Sequence, residues 1–204
     1  MNDAAVRWAE SQLGATIAAV TALTGGTTST MLRLRDTAGH DSVLRLMTNE
    51  PWRTHGAELT ARERDAQREL ASTAVPAPTS LALDADGAAA GVAAHLMSRV
   101  PGVPGTDIDE SMLTAMARML ATIHAVSLRE PFRTFQSWAW EAKRVVPAWS
   151  NHPDSWRHAF EILAGAAPSY VPTFLHRDFS HRNLLWTGDA ITGVVDWVES
   201  STGP

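Results

Sequence analysis

The segment from His176 to Asn183 gathers side chains that can do chemistry, and Asp196 follows it after two short apolar runs. The carboxylate of Asp178 can accept a proton from an attacking hydroxyl group. Asn183 and Asp196 offer amide and carboxylate oxygens, which are ligand types that Mg²⁺ binds. Transfer of a phosphoryl group needs this combination, because one residue orients the nucleophile while metal ions neutralise the phosphate charge.

A hairpin is needed to bring these residues together. Two β-like runs, at 184–187 and 191–195, flank the turn residues Gly188 and Asp189. Antiparallel pairing of the two runs returns Asp196 to the side of Asn183. Both oxygens can then face one cation.

The remaining elements predict two lobes. Apolar periodicity and turn residues predict helices at 6–13 and 57–72, and strands at 17–23, 31–35, 42–47 and 92–97. After Pro101 and Gly102 the pattern becomes helical, at 109–125 and again at 138–156, with interruptions near Pro147 and Pro153 and a continuation at 157–163. A sheet-containing lobe, a linker and a helical lobe follow, with a ligand cleft expected between the lobes.

Composition excludes several classes of protein. The 204 residues include no cysteine, so disulfide frameworks, cysteine-ligated zinc and thiol nucleophiles are excluded. A net charge of −5 is unlike that of a nucleic-acid-binding protein. No apolar run reaches the ~20 residues of a membrane span, and the N-terminus lacks a signal-peptide pattern. We therefore expect a cytoplasmic protein that binds neither nucleic acid nor membrane.

The order His-Arg-Asp, four residues and Asn at 176–183, followed by Asp196, matches the catalytic-loop pattern of kinases. With the two lobes around it, the chain resembles the aminoglycoside phosphotransferase family, relatives of choline and homoserine kinases. The resemblance implies an α+β, protein-kinase-like fold, with an antiparallel-sheet nucleotide-binding lobe at 1–98 and a mainly helical lobe at 99–204. It implies that Asp178 is catalytic, and that Asn183 and Asp196 bind Mg²⁺.

The same resemblance implies a nucleotide site for ATP or GTP. The loop Gly25, Gly26, Thr27, Thr28 and Ser29 resembles the segment that covers the nucleotide phosphates. Backbone groups near Ser98 and Val100 occupy the position of the hinge that binds adenine. The implied activity is transfer of the γ-phosphate to a hydroxyl group of a small molecule.

One departure concerns the phosphate-binding lysine of this fold. The only lysine, Lys143, lies in the helical part, and Arg45 stands where the strand lysine is expected. An arginine fork can still bridge a phosphate and a carboxylate. The expected carboxylate is Glu63, with Glu58 and Glu69 as alternatives.

A second departure is at the C-terminus. Family members continue past the metal-binding aspartate with further helices, whereas this sequence ends eight residues after Asp196. The resemblance therefore predicts an incomplete C-terminal lobe. A non-catalytic nucleotide-binding or interaction module is the alternative function. The acceptor, the choice between ATP and GTP, and the oligomeric state stay open.

Several residues have competing interpretations. His176 and His181 can be read as metal ligands with Asp178, but a loop-stabilising His176 and a surface His181 explain them better. Trp138, Trp140, Trp149 and Trp156 suggest a stacking site, although we expect them to fill a helical core. A protein kinase is disfavoured because Asp196-Trp197-Val198 replaces its D-F-G motif and no A-P-E motif follows.

Overall fold

The computed structural model describes residues 3–24 and 26–204. Its α-helices are α1 (Asp3–Leu13), α2 (Gly56–Leu70), α3 (Glu110–His124) and α4 (Pro153–Ala164). Its strands are β1 (Ile17–Leu23), β2 (Thr30–Asp36), β3 (Asp41–Leu46), β4 (Ser80–Asp84), β5 (Ala94–Ser98), β6 (Val103–Pro104), β7 (Thr173–Leu175), β8 (Leu184–Thr187), β9 (Ala190–Val194) and β10 (Ser201–Gly203). Short 3₁₀ turns join several of them.

The N-terminal lobe is built on an antiparallel sheet with the strand order β1-β2-β3-β5-β4. The predicted strands at 17–23, 31–35, 42–47 and 92–97 all lie in it. Gly39 closes the β2–β3 hairpin with a φ of 89°, a left-handed conformation that glycine adopts without steric cost. The antiparallel-sheet N-terminal lobe predicted from the sequence is confirmed.

The two faces of this sheet have different partners because side chains alternate along a strand. Leu44 and Leu96 belong to a buried cluster with Trp8 of α1. Arg45 and His95 are opposite one another in the β3–β5 register, and both bond to Glu63 of α2. One face therefore carries an apolar core, and the other carries a polar network under α2.

A second core lies in the C-terminal part, with Ala66 and Leu70 of α2 contributing to it. Ile123 of α3, Phe174 of β7 and Leu184 of β8 are buried with Trp197. The rings of Phe174 and Trp197 are nearly parallel, with centroids 5.9 Å apart. This packing places β7, which precedes the segment 176–183, beside the turn that follows β9.

The tryptophan-rich segment does not form the predicted helix. Between 138 and 152 the described backbone is irregular apart from a 3₁₀ turn at Glu141–Lys143, and α4 begins only at Pro153. Proline lacks an amide donor and is favoured in the first turn of a helix, so Pro153 starts the helix instead of interrupting it. The predicted helix at 157–163 lies within α4 and is confirmed.

The expected role of these tryptophans in a helical core is also wrong. Trp138, Trp140 and Trp149 expose 51%, 53% and 78% of their surfaces. Trp156 is partly buried and contacts Trp149 edge-on. The spacing of apolar residues alone does not distinguish a buried helix from an irregular segment with exposed aromatic side chains.

Among the residues that the structure describes, no helix combines the length and the apolar character that a membrane span requires.

The packing of Trp197 gives a stability prediction. This fully buried ring contacts both Phe174 and His176, and its indole Nε1 donates to the carbonyl of Val194 at 2.8 Å. Trp197→Ala is expected to lower the free energy of unfolding by about 3–5 kcal/mol through cavity formation. Urea denaturation measures the change.

Trp149→Ala is the matched control because the same ring is removed from an exposed position. Its expected effect is within about 0.5 kcal/mol. Equal losses for the two variants would contradict the assignment of Trp197 to the core.

Candidate active site

His176 fixes the loop that carries Asp178. Its ring is buried, and Nε2 donates to the carbonyl of Val195 at 2.9 Å. Its Nδ1 accepts from the amide of Asp178 at 3.2 Å. Burial lowers the pKa of His176, which favours the neutral ring that this pair of bonds requires. The predicted loop-stabilising role is therefore confirmed.

Asn183 holds Asp178 in place. Its side-chain amide nitrogen donates to the backbone carbonyl of Asp178 at 2.8 Å and to the carboxylate Oδ2 at 2.9 Å. The Asp178 side chain is solvent-exposed at the cleft. The arrangement presents a fixed carboxylate to a ligand in the cleft.

The predicted hairpin returns the chain to this loop. Leu184 pairs with Val194 in the β8–β9 ladder, and the amide of Val195 donates to the carbonyl of Asn183 at 2.9 Å. Asp196 follows with a φ of 67°, a left-handed conformation that aspartate tolerates better than most residues. The neighbouring buried Trp197 anchors the chain on the far side of this turn.

Arg45 connects the sheet to the hairpin. Its Nη2 donates to Oε1 of Glu63 at 2.9 Å and to Oδ1 of Asp196 at 3.0 Å. Its Nη1 donates to Oγ of Ser29 at 3.0 Å. Nε lies 2.9 Å from Oε2 of Glu63, an ion-pair contact without hydrogen-bond alignment. One buried guanidinium thus joins β3, α2, the loop after β1 and the end of the β8–β9 hairpin.

Electrostatics keep both members of the central pair charged. Burial acts to lower the pKa of Arg45, but the charges of Glu63 and Asp196 outweigh it and raise that pKa. Burial acts to raise the pKa of Glu63, but Arg45 and a hydrogen bond from His95 lower it to about 2. The predicted Arg45–Glu63 pair is therefore present.

The two alternative glutamates lie elsewhere. Glu58 pairs with Arg62 one turn along α2. Glu69 accepts the backbone amide of Arg129 at 2.8 Å. Neither is bonded to Arg45, because the helix repeat turns only Glu63 toward that face of the sheet.

The loop predicted to cover phosphates lies between β1 and β2, as expected. Gly25 lies outside the described residues. Gly26 passes close to the carbonyl of Ser29, since an added Cβ would be 3.3 Å from that oxygen. Asn49 Nδ2 donates to the carbonyl of Thr27 at 2.9 Å, and Thr28 lines the cleft.

The predicted hinge residues occupy the end of β5. The amide of Ser98 donates to the carbonyl of Thr79 at 2.9 Å, and its Oγ accepts from the amide of Thr79 at 2.8 Å. The Ser98 amide is therefore committed to the sheet edge. Val100 follows and packs against Gly193, where an added Cβ would lie 2.8 Å from its side chain.

A cleft of about 500 Å³ contains the acidic pair Asp178 and Asp196. Its outer wall includes Trp138, Trp140 and Lys143, and the Lys143 ammonium lies 3.6 Å from the Trp140 ring centroid. No motif in the sequence places these three residues at the cleft. The clustering of tryptophans was the sequence feature that could have indicated a cleft wall, but we expected these side chains to fill a helical core.

The oxygen donors at this site fit a magnesium ion bound with a phosphate ligand. Asp196 supplies a carboxylate, and the orientation of the Asn183 amide nitrogen toward Asp178 leaves its oxygen as the ligand atom. Among the described residues, no group of three or more His, Asp or Glu side chains forms a metal site. Both ring nitrogens of His176 are bonded, to the carbonyl of Val195 and the amide of Asp178, so neither is available to a metal in the alternative His176–His181–Asp178 site. A Mg²⁺ ion typically needs only one or two protein ligands beside phosphates and waters.

The family is shown by sequence. The model of the phosphotransferase enzyme family, APH, matches residues 19–204. The chain belongs to this family. A curated mouse protein, acyl-CoA dehydrogenase family member 10 of Mus musculus, is 29% identical over an alignment 168 residues long, which covers 72% of this chain. The chain spans only 16% of the length of that relative.

Solved structures show the same fold. The aminoglycoside phosphotransferase APH(4)-Ia is 21% identical with a TM-score of 0.72, covering all of this chain and 74% of its own. The macrolide 2′-phosphotransferase MphH from Brachybacterium faecium is 17% identical with a TM-score of 0.68, covering 98% of this chain and 73% of its own. These likenesses confirm the kinase-like fold that the catalytic-loop pattern predicted.

The ion pair between Arg45 and Glu63 predicts that the free energy of unfolding decreases in acid. The pKa of Glu63 is about 2 in the folded chain, below its ordinary value of 4.5. The folded state then binds fewer protons than the unfolded state, so the stabilisation is full above pH 4.5 and is lost as the pH falls toward 2. Denaturant titrations across this window should show a steeper loss for the wild type than for Glu63→Gln.

Glu141→Gln serves as the control because Glu141 is exposed. It should keep the wild-type pH slope. Superimposable slopes for wild type and Glu63→Gln would show that Glu63 has an ordinary pKa.

Proposed function

We propose that this chain binds a nucleoside triphosphate, ATP or GTP, and transfers its γ-phosphate to a hydroxyl group of a small molecule. The observation that carries the proposal is the bond from Arg45 to Asp196. It connects the cation of the N-terminal sheet to the acidic pair of the catalytic loop. A polyphosphate bound in the cleft beside this bonded pair would lie near the cation and would face Asp178.

Relatives support the use of a nucleotide. Solved structures with the same fold include an APH(4)-Ia ternary complex with ADP and hygromycin B, 22% identical with a TM-score of 0.66. Another is a streptomycin–ATP ternary complex of APH(2″)-IIa, 15% identical with a TM-score of 0.61.

In the proposed reaction Asp178 takes the proton of the acceptor hydroxyl. The acceptor oxygen forms a bond to the γ-phosphorus while the bond from that phosphorus to the β–γ bridging oxygen breaks, releasing the nucleoside diphosphate. The Asn183 amide holds the Asp178 carboxylate toward the acceptor. Because Nη2 and Nε of Arg45 face Glu63 and Asp196, a phosphate oxygen would bond to the second N–H of Nη1, beside the one given to Ser29. The backbone of residues 26–29 would cover the phosphates.

Asn183 and Asp196 are the residues that would hold Mg²⁺, whose charge neutralises the phosphate oxygens. Arg45 occupies Oδ1 of Asp196 and leaves the rest of that carboxylate for the cation. Backbone groups at 98–100 would contact the base. The Ser98 amide is not one of them, because it donates to the carbonyl of Thr79. Trp138 and Trp140 are exposed at the cleft, and each has a cation, Arg177 or Lys143, over one ring face. The other ring faces offer aromatic surface on which a sugar or another ring of the acceptor can stack.

Nucleotide binding is the first test. Calorimetry with ATP or GTP in the presence of Mg²⁺ should give saturable binding that falls at least about tenfold on chelation of the metal. Asp196→Asn should remove this metal dependence because it removes one ligand charge. Binding that is identical with and without metal would contradict the assignment of Asp196.

Catalysis is tested separately. Asp178→Asn preserves size and hydrogen bonding but not proton acceptance, so transfer should fall by about 10²–10⁴-fold, the range for general-base catalysis. Its nucleotide affinity should stay within about twofold of wild type. Release of diphosphate, measured against a panel of hydroxyl-bearing acceptors, gives the rate.

Asp189→Asn is the matched control, since Asp189 is an exposed residue of the β8–β9 turn. It should leave the rate unchanged. Wild-type turnover by Asp178→Asn would exclude Asp178 as the base. Nucleotide binding without transfer to any acceptor would favour the non-catalytic module instead.

A further inference from the structure

His95 is a fully buried polar residue in β5, with 0% of its surface exposed. Both ring nitrogens have partners. Nδ1 lies 3.0 Å from Oε2 of Glu63, and Nε2 lies 2.9 Å from Oγ of Ser80 in β4. Burial of a polar ring is costly unless its nitrogens are satisfied, so this position requires both partners.

The bonds to Glu63 define the orientation of its carboxylate. Oε1 accepts from Arg45, and Oε2 faces both Nε of Arg45 and Nδ1 of His95. A carboxylate can only accept, so Nδ1 of His95 is the donor. With one contact from β5 and others from β3, the plane of the carboxylate is set by two strands of the sheet.

A series of contacts connects Ser80 to the part of the cleft where the phosphates are proposed to bind. Ser80 bonds to the His95 ring, and His95 bonds to Glu63. Glu63 in turn bonds to the Arg45 guanidinium. The same guanidinium also donates to Ser29 and Asp196. Met97, two residues along β5, is also buried on this face and is bonded to Gln67, not to Glu63. The polar contact with Glu63 is therefore specific to position 95.

We propose that His95 is a positioning residue for the nucleotide site, acting through Glu63 to hold Arg45 in its phosphate-binding orientation. Ser80 is its supporting partner in β4. This inference rests on the proposed function of the cleft, and it assigns a role to a residue that does not face the cleft itself.

The test compares nucleotide binding and kinetics in His95→Leu, His95→Asn and Met97→Leu. His95→Leu removes the donor to Glu63, and the Kd and KM for the nucleotide should rise about tenfold, the scale of one charge-assisted hydrogen bond. The kcat at saturating nucleotide should change by less than about threefold. His95→Asn places an amide nitrogen near the Nδ1 position, so it should restore most of the lost affinity.

Met97→Leu is the matched control for disturbance of the sheet, and its nucleotide Kd should stay within about twofold of wild type. Ser80→Ala keeps the His95 ring and removes only its outer bond, so a loss of about twofold to threefold is expected. It also provides an independent measurement if His95→Leu does not fold.

A double-mutant cycle separates positioning from general packing. In a Glu63→Gln background, His95→Leu should cause little further loss of affinity, because the path to Arg45 is already broken. A second full tenfold loss would overturn the proposal. Equal affinities for wild type and His95→Leu would overturn it as well.

Failure of the proposed function gives a different pattern. If the wild-type chain binds no nucleotide, the nucleotide site itself is refuted, and the role of His95 in it falls with that site. The coupling energy between His95 and Glu63 is then still measurable from the free energies of unfolding of wild type, His95→Leu, Glu63→Gln and the double variant. If wild type binds nucleotide and the His95 variants bind it equally well, the function stands and the positioning role does not.

Discussion

The Arg45 guanidinium is a buried cation, and the arrangement of the cleft depends on the way in which it is neutralised. Transferring an ion from water to a protein interior costs several kcal/mol, and this cost is offset only by well-placed opposite charges and hydrogen bonds. Glu63 and Asp196 supply the charges, and Ser29 supplies a neutral acceptor. Since these partners come from three different parts of the chain, satisfying one side chain determines where α2, the loop after β1 and the β8–β9 hairpin lie.

Helix α2 transmits this constraint to the rest of the molecule. Leu59 packs with Met47 and Val198, while Ala66 and Leu70 belong to the core of the C-terminal part. Nη1 of the buried Arg62 donates to the carbonyl of Val198 at 2.7 Å. The helix therefore has apolar and polar contacts on both sides, and it orients the sheet relative to the turn that carries Asp196.

The parts that were predicted from sequence are those governed by local rules. Alternation along β3 and the turn at Gly39 identified the hairpin, and the spacing from Asp178 to Asn183 identified the catalytic loop. The family resemblance indicated Glu63 as the partner of Arg45, with Glu58 and Glu69 as alternatives. Each of these inferences needs only a repeat, a turn or a motif.

The parts that were missed depend on tertiary contacts. The three-residue strands β7 and β10 exist because they pair with each other, and no alternation can show in so short a run. Trp138 and Trp140 follow an irregular backbone, so periodicity gave the wrong environment. His95 carries no local signal, because its partners Glu63 and Ser80 are 32 and 15 positions away in the sequence. The roles assigned to the nucleotide-site residues remain predictions.

The bond between Arg45 and Asp196 joins residues 151 positions apart in sequence. The β2–β3 hairpin closes locally and Glu63 is only 18 positions from Arg45, whereas closing a longer loop costs more chain entropy and slows folding. We therefore expect the sheet and α2 to assemble first, with the cation held by a single carboxylate, while Asp196 arrives only when β8 and β9 have paired. During synthesis, the ribosome must release every residue up to Asp196 before the second charge can reach the first, so the cleft is completed after the sheet and α2 have formed.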